Sequence, residues 1–156
     1  MKTELLLIGK TTDRHVDALL ADYAGRICHY MPFAVTVIPE LKNTKSLSQA
    51  QQKEREGQLI LQRLSPADAL VLLDEHGHEF RSLELAQWLQ QKQNTTRHLV
   101  LAIGGPYGFS EAVYQRANEK LSLSRLTFSH QMVRAILAEQ IYRACTIIKG
   151  EPYHHE

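Results

Sequence analysis

The chain has 156 residues, 44% of them hydrophobic and 22% charged, with 18 Lys and Arg against 17 Asp and Glu. That length suits one domain, residues 1–156, with a core of its own, and the composition is that of a soluble globular protein. A formal net charge of +1 excludes a protein that coats nucleic acid non-specifically. No apolar run approaches the ~20 residues of a membrane span. The short apolar stretch in MKTELLLIGK lacks a signal-peptide cleavage site, so a cytoplasmic protein is expected.

Glu4–Ile8 (ELLLI) is predicted as a first strand. Asp13–Tyr30 has helical spacing, with Val16, Leu19, Leu20, Tyr23 and Ile27 on one stripe, Asp13 as its cap and Met31-Pro32 as its stop. Phe33–Ile38 (FAVTVI) is a β-branched second strand closed by Pro39, and Glu40–Leu47, with Lys42 and Lys45, is an exposed basic loop. A polar helix over Ser48–Leu64 ends at Ser65-Pro66. Ala69–Leu73 (ALVLL) is apolar on both faces and is predicted as a central strand, followed by a turn, DEHGHEF, and a helix over Ser82–Gln93. His98–Ile103 is a fourth strand, Ser110–Lys120 a short helix, Leu123–Phe128 (LSRLTF) a fifth strand and His130–Lys149 a long helix stopped by Gly150 and Pro152. Such alternation predicts an α/β fold with a parallel sheet covered on both faces.

In open α/β sheets ligands bind beyond the carboxyl ends of strands. Three such ends carry suggestive residues: Leu73-Asp74, Gly104-Gly105 and Phe128-Ser129-His130. The glycine turn IGGPYG is not a dinucleotide fingerprint, because its spacing is wrong and no acid follows at the right distance, and it lacks the G-K-[ST] of a P-loop. A plain tight turn and a nucleoside pocket walled by bare backbone remain as readings. His76 and His78 have the look of metal ligands, but no third ligand is placed by spacing, and a polar turn around Gly77 is expected instead. The two cysteines, Cys28 and Cys145, are read as buried or half-buried thiols, and Trp88 as core or subunit interface. His130 with Arg134 and Glu139 with Arg143 share helix faces at i, i+4. The second pair reads as a surface ion pair, or else Arg134 and Arg143 supply phosphate contacts or interface pairs.

Three stretches, IGGPYGFS, LSLSRLTFSHQMVRAILAEQIYRA and the terminal PYHHE, resemble the ribosomal RNA large subunit methyltransferase H family of SPOUT methyltransferases. LLLIGK, MPF and EGQLIL extend the resemblance over nearly the whole chain. It implies an α/β SPOUT fold with a C-terminal trefoil knot, a homodimer, and S-adenosylmethionine as cofactor. It implies methylation of a pseudouridine at ring nitrogen three in the 23S ribosomal RNA of the assembled ribosome, with no metal and no membrane. Carried onto this chain, the cofactor pocket is lined by Leu73, Gly104, Leu123, Ser124, Arg125, Leu126, Thr127 and Phe128. Methyl transfer needs an aligned nucleophile and removal of the imide proton. His130 follows the pocket segment directly. In the tail, Tyr153 would stack on or orient the target base and His154 would assist positioning or proton transfer. Arg134, Arg143 and His155 are the expected RNA contacts. A non-catalytic RNA- or ribosome-binding factor on the same fold is the alternative, and it predicts no cofactor binding.

Overall fold

A computed structural model describes residues 1–156. The chain runs β1 (Lys2–Ile8), α1 (Arg14–Ile27), β2 (Phe33–Ile38), a 3-10 turn (Thr44–Ser46), α2 (Gln49–Gln62), β3 (Ala69–Glu79), α3 (Ser82–Thr95), β4 (His98–Ile103), α4 (Glu111–Arg116), β5 (Glu119–Ser122) and α5 (Met132–Lys149). The five strands form one sheet of order β2-β1-β4-β3-β5, and every pairing is parallel.

The strand sequences explain why both faces are covered. Successive side chains point to opposite sides of a sheet. Leu5, Leu7, Leu99, Leu101 and Val71 therefore face one core with α1, α3 and α5, completed by Leu20, Leu89, Leu137 and Ile141. Leu6, Ile8, Leu70, Leu72, Val100 and Ala102 face a smaller core with α2 and α4, closed by Ile60 and Val113. Each such leucine or isoleucine contributes about 1.5–3 kcal/mol of burial. Local sequence sets the helix ends. Asp13 accepts from the backbone N–H of His15 and Val16, Ser48 and Gln51 form a capping box, and Gly150 ends α5 at φ 71°.

Three expectations need correction. Leu123–Phe128 is not a strand. The fifth strand is Glu119–Ser122, part of the segment expected to be helix, and α4 stops at Arg116. The sequence DEHGHEF is neither wholly turn nor wholly strand. β3 pairs with β5 at Leu73 and again at His78, both opposite Leu121, so residues 74–77 bulge out between them. Gly77 makes this possible, because a Cβ there would lie 2.7 Å from the Lys120 carbonyl carbon and 2.8 Å from the Leu121 backbone nitrogen. Finally, Cys28 is exposed, while Cys145 is buried as expected, with burial pushing its thiol up to about 12.

Candidate cofactor pocket and the C-terminal tail

The carboxyl ends of β3, β4 and β5 and the start of α5 surround a cavity of about 340 Å³. Leu73, Gly104, Leu123, Ser124, Leu126, Thr127, Phe128 and His130 all line it. Arg125, the remaining member of the expected set, does not: its side chain is 90% exposed and extends toward Glu79. The irregular path of residues 123–128 is what turns Leu123, Leu126 and Phe128 into pocket wall instead of sheet. This segment makes no backbone–backbone hydrogen bond. The Leu126 N–H donates to Ser124 Oγ and the Ser124 carbonyl accepts from Ser122 Oγ, and the remaining amides and carbonyls, set among apolar side chains, suit the edge of a planar heterocycle such as adenine.

The glycine turn forms the opposite wall. Gly108 has φ +81°, a left-handed conformation that favours glycine. Gly105 donates its N–H to no backbone acceptor and is approached so closely by Glu56 that a Cβ would lie 2.6 Å from the carboxylate Oε1. The turn's own packing thus accounts for these glycines, and what it offers the cavity is bare backbone. Glu56 is buried with Oε1 unpartnered, and burial pushes its carboxyl up, with Glu40 adding like charge.

Asp74 opens the β3 bulge and lines the cavity; so does Tyr114 of α4, which the sequence did not single out. The Tyr114 hydroxyl and the His76 backbone N–H (2.8 Å) both donate to the Asp74 carboxylate. Burial would raise that carboxyl, but these donors outweigh it and hold it below its ordinary value. His76 points toward Asp74 and Glu75, and His78 packs against Phe80 at 4.3 Å. No three His, Cys, Asp or Glu side chains are grouped to hold a metal ion.

The expected RNA contact at Arg134 is overturned. Arg134 is 1% exposed, and its guanidinium donates to the carbonyls of Ile8, Gly9 and His130 and to Thr11 Oγ1. It ties α5 to the loop after β1 and has no face left for phosphate. Arg143 is likewise engaged: it donates to Glu139 at 2.6 Å, meets His154 Nδ1 at 3.1 Å and lies over the Tyr153 ring at 4.8 Å. Tyr153 also donates to Glu139 (2.9 Å) and packs against Tyr142. A second anchor is Tyr30, whose hydroxyl donates to Glu151 at 2.6 Å. Tyr153 and His154 are therefore packed along α5, while Glu151, Pro152, His155 and Glu156 are exposed. Tyr153 and His154 sit together but do not line the cavity of their own chain, where His130 lies. Trp88 is core, its indole N–H donating to Glu119 at 3.1 Å.

A parallel α/β sheet with a backbone-walled cavity at its carboxyl edge is an arrangement for holding a nucleoside-like group. The sequence model of the family described as "Predicted SPOUT methyltransferase" matches residues 1–154, and the chain belongs to that family. Among its relatives, the ribosomal RNA large subunit methyltransferase H of Bacteroides thetaiotaomicron is 60% identical over the whole of both chains. The proteins of the same name from Bacteroides fragilis, at 56% over the whole of both, and Cytophaga hutchinsonii, at 55% over 99% of this chain and 100% of its own, are similarly related.

Proposed function

We propose that this protein uses S-adenosylmethionine to methylate a pseudouridine at ring nitrogen three in the 23S ribosomal RNA of the assembled ribosome, acting in the cytoplasm as a homodimer. The observation that carries the reading is the cavity at the ends of β3, β4 and β5, in a chain whose relatives over its full length are named for large-subunit ribosomal RNA methylation. The residues present fit the cofactor: backbone of residues 123–128 outside any backbone ladder for the adenine edge, apolar walls from Ile103, Phe128 and Val133, and the half-buried carboxylate of Asp74. When bound, the cofactor supplies a methyl group on a cationic sulfur.

The chain's own task is alignment and proton removal. His130, an exposed residue lining the cavity, would take the N3 proton of the target base. Tyr153 and His154 are held on α5, away from their own cavity. In a homodimer they would act on the base presented to the partner, Tyr153 by stacking and His154 by positioning or proton transfer. The exposed apolar side chains of Leu126 (75%) and Met132 (51%) beside the cavity support a covering subunit. Exposed His155, Arg125, Lys42 and Lys45 supply contacts to RNA phosphate. The C-terminal trefoil knot belongs to the same proposal, supported by the family membership.

The test is transfer of labelled methyl from S-adenosylmethionine to intact ribosomes lacking the modification, beside isolated subunits and free rRNA. Label on one pseudouridine of intact ribosomes is expected. No label on any of the three, with no cofactor bound, would leave a ribosome-binding factor instead. Tyr153→Ala and His154→Ala are expected to lower turnover by about tenfold or more, in the range for a positioned acid–base group. Full turnover by both would remove the tail from the mechanism.

A further inference from the structure

The cavity wall contains no lysine or arginine. Its least exposed charge is Asp74, half-buried with a side chain 13% exposed, beside the more exposed Glu75. Two donors fix the carboxylate in its charged form, yet neither is a cation. The nearest positive candidate on the same wall, His76, is 71% exposed with Nδ1 4.0 Å away, and Lys120 sits outside, over the Tyr114 ring at 5.7 Å. A buried anion is normally paired. This one is oriented and ionised on the wall of a cavity that mixes apolar and neutral polar side chains and holds no lysine or arginine, which is the electrostatic complement of a cationic ligand group.

We propose that Asp74 is a specificity-determining residue that makes the pocket favour the positively charged sulfonium cofactor over the neutral thioether left after methyl transfer. Tyr114 is its positioning residue. The inference rests on the cofactor reading above and deepens it. Loss of the methyl group removes one positive charge from the ligand and leaves its amino-acid end and adenosine unchanged. If the cofactor's sulfur were held against this carboxylate, the interaction would act on the difference between the two ligands, more strongly than in bulk water. The product is released by the same interaction that captured the substrate.

The experiment is calorimetric titration of wild type, Asp74→Asn and Tyr114→Phe with S-adenosylmethionine, sinefungin (which carries an ammonium where the sulfonium stands) and S-adenosylhomocysteine. Asn keeps the volume and the acceptor for the His76 N–H. Asp74→Asn is expected to weaken the two charged ligands about tenfold and to leave the thioether within about twofold, a change readable without turnover. Tyr114→Phe keeps its ring against Phe109 and is expected to lower the charged-to-neutral preference about threefold. Equal weakening of all three ligands would overturn the proposal, because Asp74 would then be structural or would bind the shared ammonium. Unchanged affinities would also overturn it. If Asp74→Asn does not fold, an unchanged preference in Tyr114→Phe overturns it. Wild type that binds none of the three defeats the cofactor reading itself, whereas wild type that binds all three without preference defeats only the role of Asp74.

Discussion

Glu56 shows how far a single residue departs from surface behaviour. It is 4% exposed on a largely polar helix, packed against the glycine turn, with Gln52 donating to its Oε2 and Oε1 left unpartnered. Burial raises its carboxyl above the ordinary value of 4.5, so the folded state holds its proton at a pH where the unfolded chain has lost it. The stabilising contribution is complete below the unfolded value and is lost as pH rises through the folded one. Wild type is therefore expected to lose stability with rising pH more steeply than Glu56→Gln, with the variant at least as stable at neutral pH. Urea unfolding between pH 4 and 8 reads this directly, and superimposable pH profiles would refute it. Arg134 gives the opposite lesson. Read on a helix stripe beside His130, it looks like a phosphate contact. Its position shows that a guanidinium with backbone carbonyls for partners can be as buried as a leucine, and nothing in local spacing distinguishes the two outcomes.

Among the elements, β1, β2, β4 and the first half of β3 were legible because each is a run rich in apolar or β-branched residues, whereas the polar second half of β3 was not. Nor was β5. Its four residues, EKLS, sit on the sheet edge, and backbone pairing with β3 defines it more than apolar pattern does. The apolar residues of LSRLTF suggest a buried strand, yet Leu123, Leu126 and Phe128 line an open cavity and Leu126 is 75% exposed, a distinction that residue spacing does not carry. The site followed the same division. The family resemblance located the pocket segment. Tyr114 was missed because only the packing of α4 against the β3 bulge brings it to Asp74. That bulge makes a prediction of its own. In Gly77→Ala the new Cβ meets β5 backbone, which cannot swing aside like a flexible side chain. The expected loss is about 2 kcal/mol of stability, seen as a lower urea midpoint with unchanged slope, and cofactor affinity should fall with it because Asp74 shifts. A stability within error of wild type would mean that β5 yields to the bulge.

For the whole molecule, the near-balance of charge limits how it can meet RNA. With a net charge of +1 the number of phosphates neutralised must be small and local. Each contact contributes about −0.9 to the slope of log affinity against log salt on a duplex, and about −0.7 on a single strand. Lys42→Ala and Lys45→Ala are each expected to make the salt slope for ribosome binding shallower by about one. An unchanged slope would place that loop away from the RNA.

The latch between Arg134 and the carbonyl of Gly9 joins residues 125 positions apart in the chain. Contacts of such long sequence separation form late, because the intervening loop must close first. A nascent chain stopped after β4 has four strands joined by three pairings but lacks Val133, His130 and the guanidinium that fixes the loop after β1. The cavity is therefore the last part of the fold to be completed during synthesis, and ligand cannot assist folding until nearly the whole chain has left the ribosome.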